Sequence, residues 1–427
     1  MRLFLWLQIP IVLVVGAAYF LLVWPMRNPH PALVFPETTL AIRDARVYTN
    51  PDSDPLEHAT VLVRNGIIVA VGAKIAIPQD TNILECPHCT VTAGFWNSHV
   101  HFTESKWDYS AFKSSGTLNG QLADMLTKRG FTTVVDLGSD LRQTISLRRR
   151  IEKGDLKGPA IYTAGSGMYP PRGIPFYLAD LPFLIRWLMP QPETPDAAAE
   201  IEERNIRRGA DVLKLFTGSL VTRRSVLAMP VEIAAAAVKV AHRHSQLAFA
   251  HPSNLEGTKV AIDSGVDVLA HAPSVPEGVD TALLQSIIDH HMSMMPTLKM
   301  FATTGSTDPA FLNPIYEIVR QFHSLGGDLM FGTDVGYMTD YSTEDEFAAL
   351  SKSGLSARDI LRMLTVAPAA RFGVAALKGT ITPGKMGDLV VLDGDPIADL
   401  GAFSRVHFTV RSGRVIYEAP LPAVAAR

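Results

Sequence analysis

Cysteine is nearly absent from this chain: 427 residues contain only Cys86 and Cys89. Their run, Glu85-Cys86-Pro87-His88-Cys89, admits a local disulfide or a redox pair. A thioredoxin-like role wants such a pair at the opening of a helix, whereas Thr90, Val91 and Thr92 read as strand or turn. A zinc site built from both cysteines and His88 lacks a fourth ligand nearby. Charge of one sign is also missing. The 39 Lys+Arg face 42 Asp+Glu, a formal net charge of -3, so nothing points to a polyanion and no nucleic acid partner is expected. No candidate strand is followed by a Gly-rich phosphate loop, which removes the support for a nucleotide-binding, doubly wound open sheet.

What is present begins with an apolar run from Leu3 to Met26, interrupted only by Gln8, Pro10 and Pro25. Its length suits a bilayer span at about 1.5 Å per residue. A cleaved signal is the competing reading, with small residues at Gly16, Ala17 and Ala18. The apolar stretch continues past them to Trp24, beyond the usual h-region, so residues 1–26 are expected to be an N-terminal transmembrane anchor. The catalytic part would then lie outside the cytoplasm, or be secreted or periplasmic if the segment is removed. The membrane is the one macroscopic partner expected, and a homo-oligomer is left open.

Residues 38–92 alternate short branched-apolar segments with turns, including Asn65-Gly66 between two such runs, a tight hairpin signal. Residues 378–418 behave alike. A lone three-strand fragment would leave an apolar face exposed, so the two ends are expected to form one β-sandwich. Between them, residues 93–370 alternate candidate strands at 94–101, 131–136, 159–164, 211–216, 246–251, 266–271, 293–298 and 328–334 with helical patterns. These helices include Ala197 to Arg208, Pro230 to Arg243, Leu255 to Ser264 and Ala357 to Leu364. Eight β then α units predict an α/β fold of the closed (β/α)8 TIM barrel type.

Chemistry enters at the strand ends. His99 and His101 are two apart on the first barrel strand, so both imidazoles point the same way. Lys214 interrupts Val212-Leu213-Lys214-Leu215-Phe216, where an ammonium is costly unless paired or neutralised. His251, His271 and Asp334 end three later strands. Side chains at the C-terminal ends of barrel strands converge on one opening. His242, His244, His290 and His291 fall at helix ends instead, and Met292, Met294 and Met295 read as core filling.

These pieces, Ala93-Gly94-Phe95-Trp96-Asn97-Ser98-His99-Val100-His101, Asp211-Val212-Leu213-Lys214, Ala250-His251, Ala270-His271-Ala272, Gly332-Thr333-Asp334 and the tail from Gly379 to Val391, resemble the amidohydrolase superfamily. The resemblance is to its imidazolonepropionase-like and Xaa-Pro-dipeptidase-like branches, over roughly residues 38–418. It implies a metallopeptidase-like, metal-dependent hydrolase. His99, His101 and Asp334 would bind one metal ion, His251 and His271 a second, with a CO2-derived carbamate on Lys214 bridging them. Zinc is the first choice of divalent ion, with manganese, cobalt or iron also compatible with the donors. A metal-bridged water would supply hydroxide, and Asp334 would shuttle its proton to a leaving amine.

A small amide, a dipeptide or an N-acyl amino acid is the expected substrate, with an ester or lactone as the alternative. A noncatalytic, membrane-tethered binding protein is the remaining reading. The stretch from Gly165 to Pro190, rich in Gly, Pro and aromatics, reads as a mouth loop covering the site, some of its apolar side chains from Phe176 to Met189 packing on the barrel or facing a ligand, or else resting at the bilayer; Tyr169, Arg172 and Tyr177 within it are candidate substrate-binding residues. The dipeptidase-like relatives often carry a glycine-rich segment with histidine here. This chain has Tyr169-Pro170-Pro171-Arg172-Gly173 instead.

Overall fold

The computed structural model describes residues 29–420. The expected anchor at residues 1–26 lies outside them, and among the described residues no helix is long and apolar enough to cross a membrane.

Strands from both ends of the chain combine in one unit. β1 (Thr39–Val47), β2 (Leu56–Arg64), β3 (Ile67–Gly72), β4 (Asn82–Glu85) and β5 (Cys89–Ala93) join three strands from the other end. Those are β16 (Leu389–Asp393), β17 (Val406–Arg411) and β18 (Arg414–Glu418). They hydrogen bond as one continuous sheet ordered β18-β17-β16-β5-β1-β2-β3, with β4 also on β1, not as two separate sheets. β1 makes this possible because its first half pairs with β4 and its end with β5, and register shifts on either side of Ala45 bend it. Ile42, Val47, Val61, Val91, Val391 and Val410 share an apolar cluster of their own. Asn65 and Gly66 take positive φ, 49° and 79°, as the β2–β3 hairpin turn requires. Cys86 and Cys89 are joined in a disulfide between β4 and β5.

The middle of the chain closes into a ring of eight parallel strands. They are β6 (Phe95–Val100), β7 (Phe131–Asp136), β8 (Ala160–Thr163), β9 (Leu213–Leu215), β12 (Ala248–Ala250), β13 (Val268–Leu269), β14 (Ser293–Met294) and β15 (Asp328–Leu329). A small hairpin, β10 (Gly218–Leu220) with β11 (Val226–Ala228), follows β9. Regular ladders join β6 to β8 and β9 to β15. The two gaps close through Asp211 N–H to Thr163 O at 2.7 Å and Ser98 N–H to Phe331 O at 2.8 Å. A doubly wound sheet would have had two open edges here. The helices Pro195–Arg207, Val231–Arg243, Leu255–Asp263 and Ala357–Leu364 fall where the apolar spacing placed them.

Alternation along the strands decides which side chains line the axis. Val135, Phe249, Val268 and Met330 meet in an inner cluster. Their neighbours Val134, Ala248, Ala250 and Leu269 belong to the larger cluster that includes the surrounding helices. The later strands are shorter than the sequence suggests, because the residues that follow them turn to aim side chains into the mouth.

Candidate metal centre

Parity explains the first placements. Leu213 and Leu215 join the outer cluster, which leaves Lys214 facing the axis. His251 follows inward-facing Phe249 by two residues. On β6 a register irregularity between Asn97 and Val100 resets the alternation, so that with Val100 packed outward, His99 and His101 both face the mouth. Asn97 braces this bend: its Nδ2 donates to Thr333 Oγ1 at 2.6 Å, and its Oδ1 accepts from the backbone N–H of His99 and of Thr333, each at 3.2 Å.

At the far side of the ring Asp334 has a left-handed backbone, φ 61°, held by its N–H to His99 O at 2.9 Å. Gly336 follows with φ 96°, and a Cβ there would lie 1.8 Å from the His101 carbonyl oxygen. Close approach of these two loops is what brings Asp334 against the histidine pair.

Three imidazoles have their tautomers set by their neighbours. His99 Nδ1 is 3.0 Å from Ala270 O and His101 Nδ1 is 2.9 Å from Gly138 O. A carbonyl can only accept, so each Nδ1 carries the proton. His271 Nδ1 is 2.7 Å from Thr297 Oγ1, whose own proton goes to Pro296 O at 2.7 Å, so here too the imidazole donates. All three Nε2 atoms are left with lone pairs. His99 Nε2 and His101 Nε2 lie 3.2 and 2.8 Å from Asp334 Oδ1, an oxygen that is buried and makes no hydrogen bond of regular geometry. Acceptors crowded this closely need a cation or a proton among them. Ligand atoms of His99, His271 and Asp334 all lie within 4.8 Å of one another. His251 stands beside this group, its ring centroid 4.4 Å from that of His271.

The electrostatics agree. Burial, with the charge of Lys214 in support, pushes His251 down to about 3. Burial likewise holds His99 and His271 well below the usual imidazole range. His101 is the exception. Burial opposes its charge, but the neighbouring Asp334, Asp136 and the Gly138 carbonyl outweigh it and raise its pKa. Asp334 is buried as well, yet His99, His101 and Lys214 keep its carboxyl below the ordinary value. Lys214, buried with no hydrogen bond or ion pair at Nζ among the described residues, is brought down to about 7 by desolvation, so its amine is substantially neutral near physiological pH.

Two supporting residues escaped the sequence reading. Asp136 ends a barrel strand, which was the available signal, but its side chain points outward. It accepts from Ser139 Oγ at 2.5 Å, Thr163 Oγ1 at 2.8 Å and Thr144 Oγ1 at 3.0 Å, and so fixes the loop whose Gly138 carbonyl orients His101. Thr297, with φ 51°, gave no signal, since its role depends on a loop conformation.

The mouth loop divides in two. Tyr169 is buried and stacks on Phe216, centroids 4.4 Å apart, and Phe216 stacks on His251 at 5.0 Å. Tyr177 packs on Tyr337, three residues past Asp334, at 5.5 Å; burial raises its phenol pKa, with the Asp334 charge contributing. Arg172 is exposed and, among the described residues, makes no hydrogen bond or ion pair. The second half, from Phe183, stands in solvent. The expected packing on the barrel or a ligand is therefore met by Phe176 and Tyr177 and not by the side chains from Phe183 to Leu188. The four outlying histidines stay away from the centre: His242 pairs with Asp267 at 2.9 Å, His244 with Glu203 at 3.4 Å, His290 bonds the Ser286 carbonyl, and His291 is exposed.

With this geometry in view, the pattern of the amidohydrolase family matches residues 90–416. The chain belongs to that family. It is accordingly a hydrolase. Ochratoxinase of Aspergillus niger is 21% identical over 394 residues, covering 82% of this chain and 81% of that protein. Imidazolonepropionase of Thermoplasma acidophilum is 32% identical over 111 residues, 25% of this chain and 27% of that one. Among solved structures, an Xaa-Pro dipeptidase with bound methionine superposes with a TM-score of 0.76 at 22% identity, covering 90% of this chain and 100% of that chain. The family typically binds metal, and the lone-pair geometry of His99, His271 and Asp334 fits such an ion.

Proposed function

We propose that this amidohydrolase cleaves the C–N bond of a small amide, a dipeptide or an N-acyl amino acid. The observation that carries the reading is the set of Nε2 lone pairs on His99, His101 and His271, fixed by acceptors at Nδ1 and gathered around the unsatisfied Asp334 Oδ1. His99, His101 and Asp334 would hold one divalent ion, His251 and His271 a second. Zinc suits this N/O donor set best. Two such ions, when bound, acidify a water and polarise a carbonyl.

Lys214 would complete the ligand set as a carbamate. Its neutral amine would donate a lone pair to the carbon of CO2, one C=O π pair moving onto oxygen as the N–C bond forms, and the nitrogen would pass one proton to water. A buried, unpaired amine thereby becomes an anionic oxygen donor. Asp334 takes the proton of the attacking water and passes it to the leaving nitrogen. An amine needs that proton far more than an alcohol does, so such a shuttle is what amide cleavage requires and ester or lactone cleavage can do without. Tyr169, Tyr177 and Tyr337 would form the aromatic border of the substrate site. The similarities to ochratoxinase and to an Xaa-Pro dipeptidase support a hydrolase of C–N bonds.

The test is metal analysis of the purified chain followed by a panel of amides, dipeptides, esters and lactones. Bound divalent ion with amide turnover abolished by a chelator is the expected result. Turnover of esters or lactones alone would replace the substrate class. Turnover independent of metal would overturn the mechanism.

A further inference from the structure

The short helix Phe183–Leu188 has no buried residue. Phe183, Trp187 and Leu188 are 75%, 67% and 66% exposed, and Leu184 and Ile185 are exposed beside them. At about 100° per residue these five side chains cover more than half of the helix circumference. Contiguous apolar surface of this kind needs a partner. Pro182 opens the helix, and the Tyr169 N–H to Pro190 O bond of 2.9 Å ties the loop at its base, so the helix is displayed on a braced loop.

Where the chain enters the barrel indicates the partner. Pro29 packs directly on Gly209, where a Cβ would lie 2.3 Å from the proline Cβ, and His30 Nδ1 is 3.5 Å from Asp211 Oδ1. Only Arg27 and Asn28 separate Pro29 from the apolar run Leu3 to Met26. The three residue steps from Met26 to Pro29 reach at most about 11 Å, so if that run inserts in a bilayer, the catalytic body is held against the same surface. Gly209 closes the helix Pro195–Arg207, and the exposed helix ends just before that same helix begins. Pro29 and the exposed helix thus flank a single barrel helix about 20 Å long. Arg223 lies over the Phe176 ring at 5.4 Å, and Arg224 and Arg172 are exposed near the loop, with the exposed acids Asp180, Glu193, Asp196 and Glu200 on the same βα unit.

We infer that the helix Phe183–Leu188 docks into the surface of a lipid bilayer, laying the third βα unit and its mouth loop along the membrane. Five apolar side chains enter the acyl boundary while Arg172, Arg223 and Arg224 meet headgroup phosphates. The inference is independent of the metal chemistry proposed above.

The experiment uses the full chain in vesicles of phosphatidylcholine with a minority of phosphatidylserine. Leu184→Cys and Leu188→Cys are labelled with an environment-sensitive fluorophore, and Leu325→Cys, across the barrel, is the control. Blue-shifted emission at 184 and 188 that nitroxide-bearing lipids quench, with solvent-like emission at 325, is expected. Solvent-like emission at 184 and 188, or failure of the chain to float with the vesicles, would overturn the inference. Blue-shifted emission that lipid nitroxides do not quench, with crosslinking of Leu188→Cys between copies, would overturn it in favour of self-association. Metal content and hydrolysis measured in the same samples keep this outcome separate from that of the proposed reaction.

Discussion

Replacing Thr297 by valine isolates the tautomer argument. The two side chains have nearly the same shape, so packing and the left-handed backbone are conserved while the hydroxyl that accepts from His271 Nδ1 at 2.7 Å is lost. His271 is buried, and its Nδ1–H would be stranded. An unmade hydrogen bond of this kind costs about 1–3 kcal/mol. The imidazole can avoid that only by moving its proton to Nε2, which removes the lone pair directed at the proposed metal. Either route weakens metal binding by about 10–100-fold, the range for loss of a partner to a ligating histidine, or about 1.4–2.8 kcal/mol. Competition against a chromophoric zinc chelator measures this. Thr297→Ser retains the hydroxyl and is expected to bind metal within a few-fold of the parent. Equal affinity for the valine variant, in a protein with unchanged thermal unfolding of the metal-free form, would refute the reasoning.

Lys214 predicts a pH dependence of stability in the metal-free, CO2-free chain. Its folded pKa of about 7 lies below its unfolded value, so between about 7 and 10 the unfolded state holds the extra proton and stability rises with pH. The slope attributable to this residue is about 1.4 kcal/mol per pH unit, and a Lys214→Met variant lacks it; denaturant titrations showing parallel pH profiles would count against the neutral amine. Asp334→Asn should retain substantial metal and lose hydrolysis, so full turnover by that variant removes the proton shuttle. Gly336→Ala places a Cβ 1.8 Å from the His101 carbonyl at φ 96° and should lower both stability, by several kcal/mol, and metal content. Tyr177→Ala is expected to raise KM with metal stoichiometry unchanged, while Phe183→Ala in detergent leaves both alone; a reversed pattern would show that the exposed half of the loop lines the substrate site.

Much of this architecture was legible in residue order because its determinants are local. Period-2 apolar runs separated by amphipathic helices specify repeated βα units, and a polar residue ending an apolar strand marks a barrel mouth whatever the loops do. That is how His99, His101, Lys214, His251, His271 and Asp334 could be picked out together. The strand ends were read too long because they adopt conformations, such as φ 61° at Asp334, that composition does not announce. The exposed helix could not be told from a packed one for a related reason: apolar content predicts a need for burial, not where the burial is found.

Sequence by itself therefore determined the repeat, the family likeness and the identity of the metal-binding candidates, all properties of short windows. Only the tertiary structure decided which nitrogen of each imidazole is free, since Ala270, Gly138 and Thr297 come from other βα units. It alone showed Asp136 pointing outward as a brace, Arg172 standing in solvent, and the strand order that joins the two β-rich segments through β1. Proton positions, side-chain direction beyond a strand's end and long-range pairing all depend on contacts between residues far apart in the chain, and no local pattern encodes them.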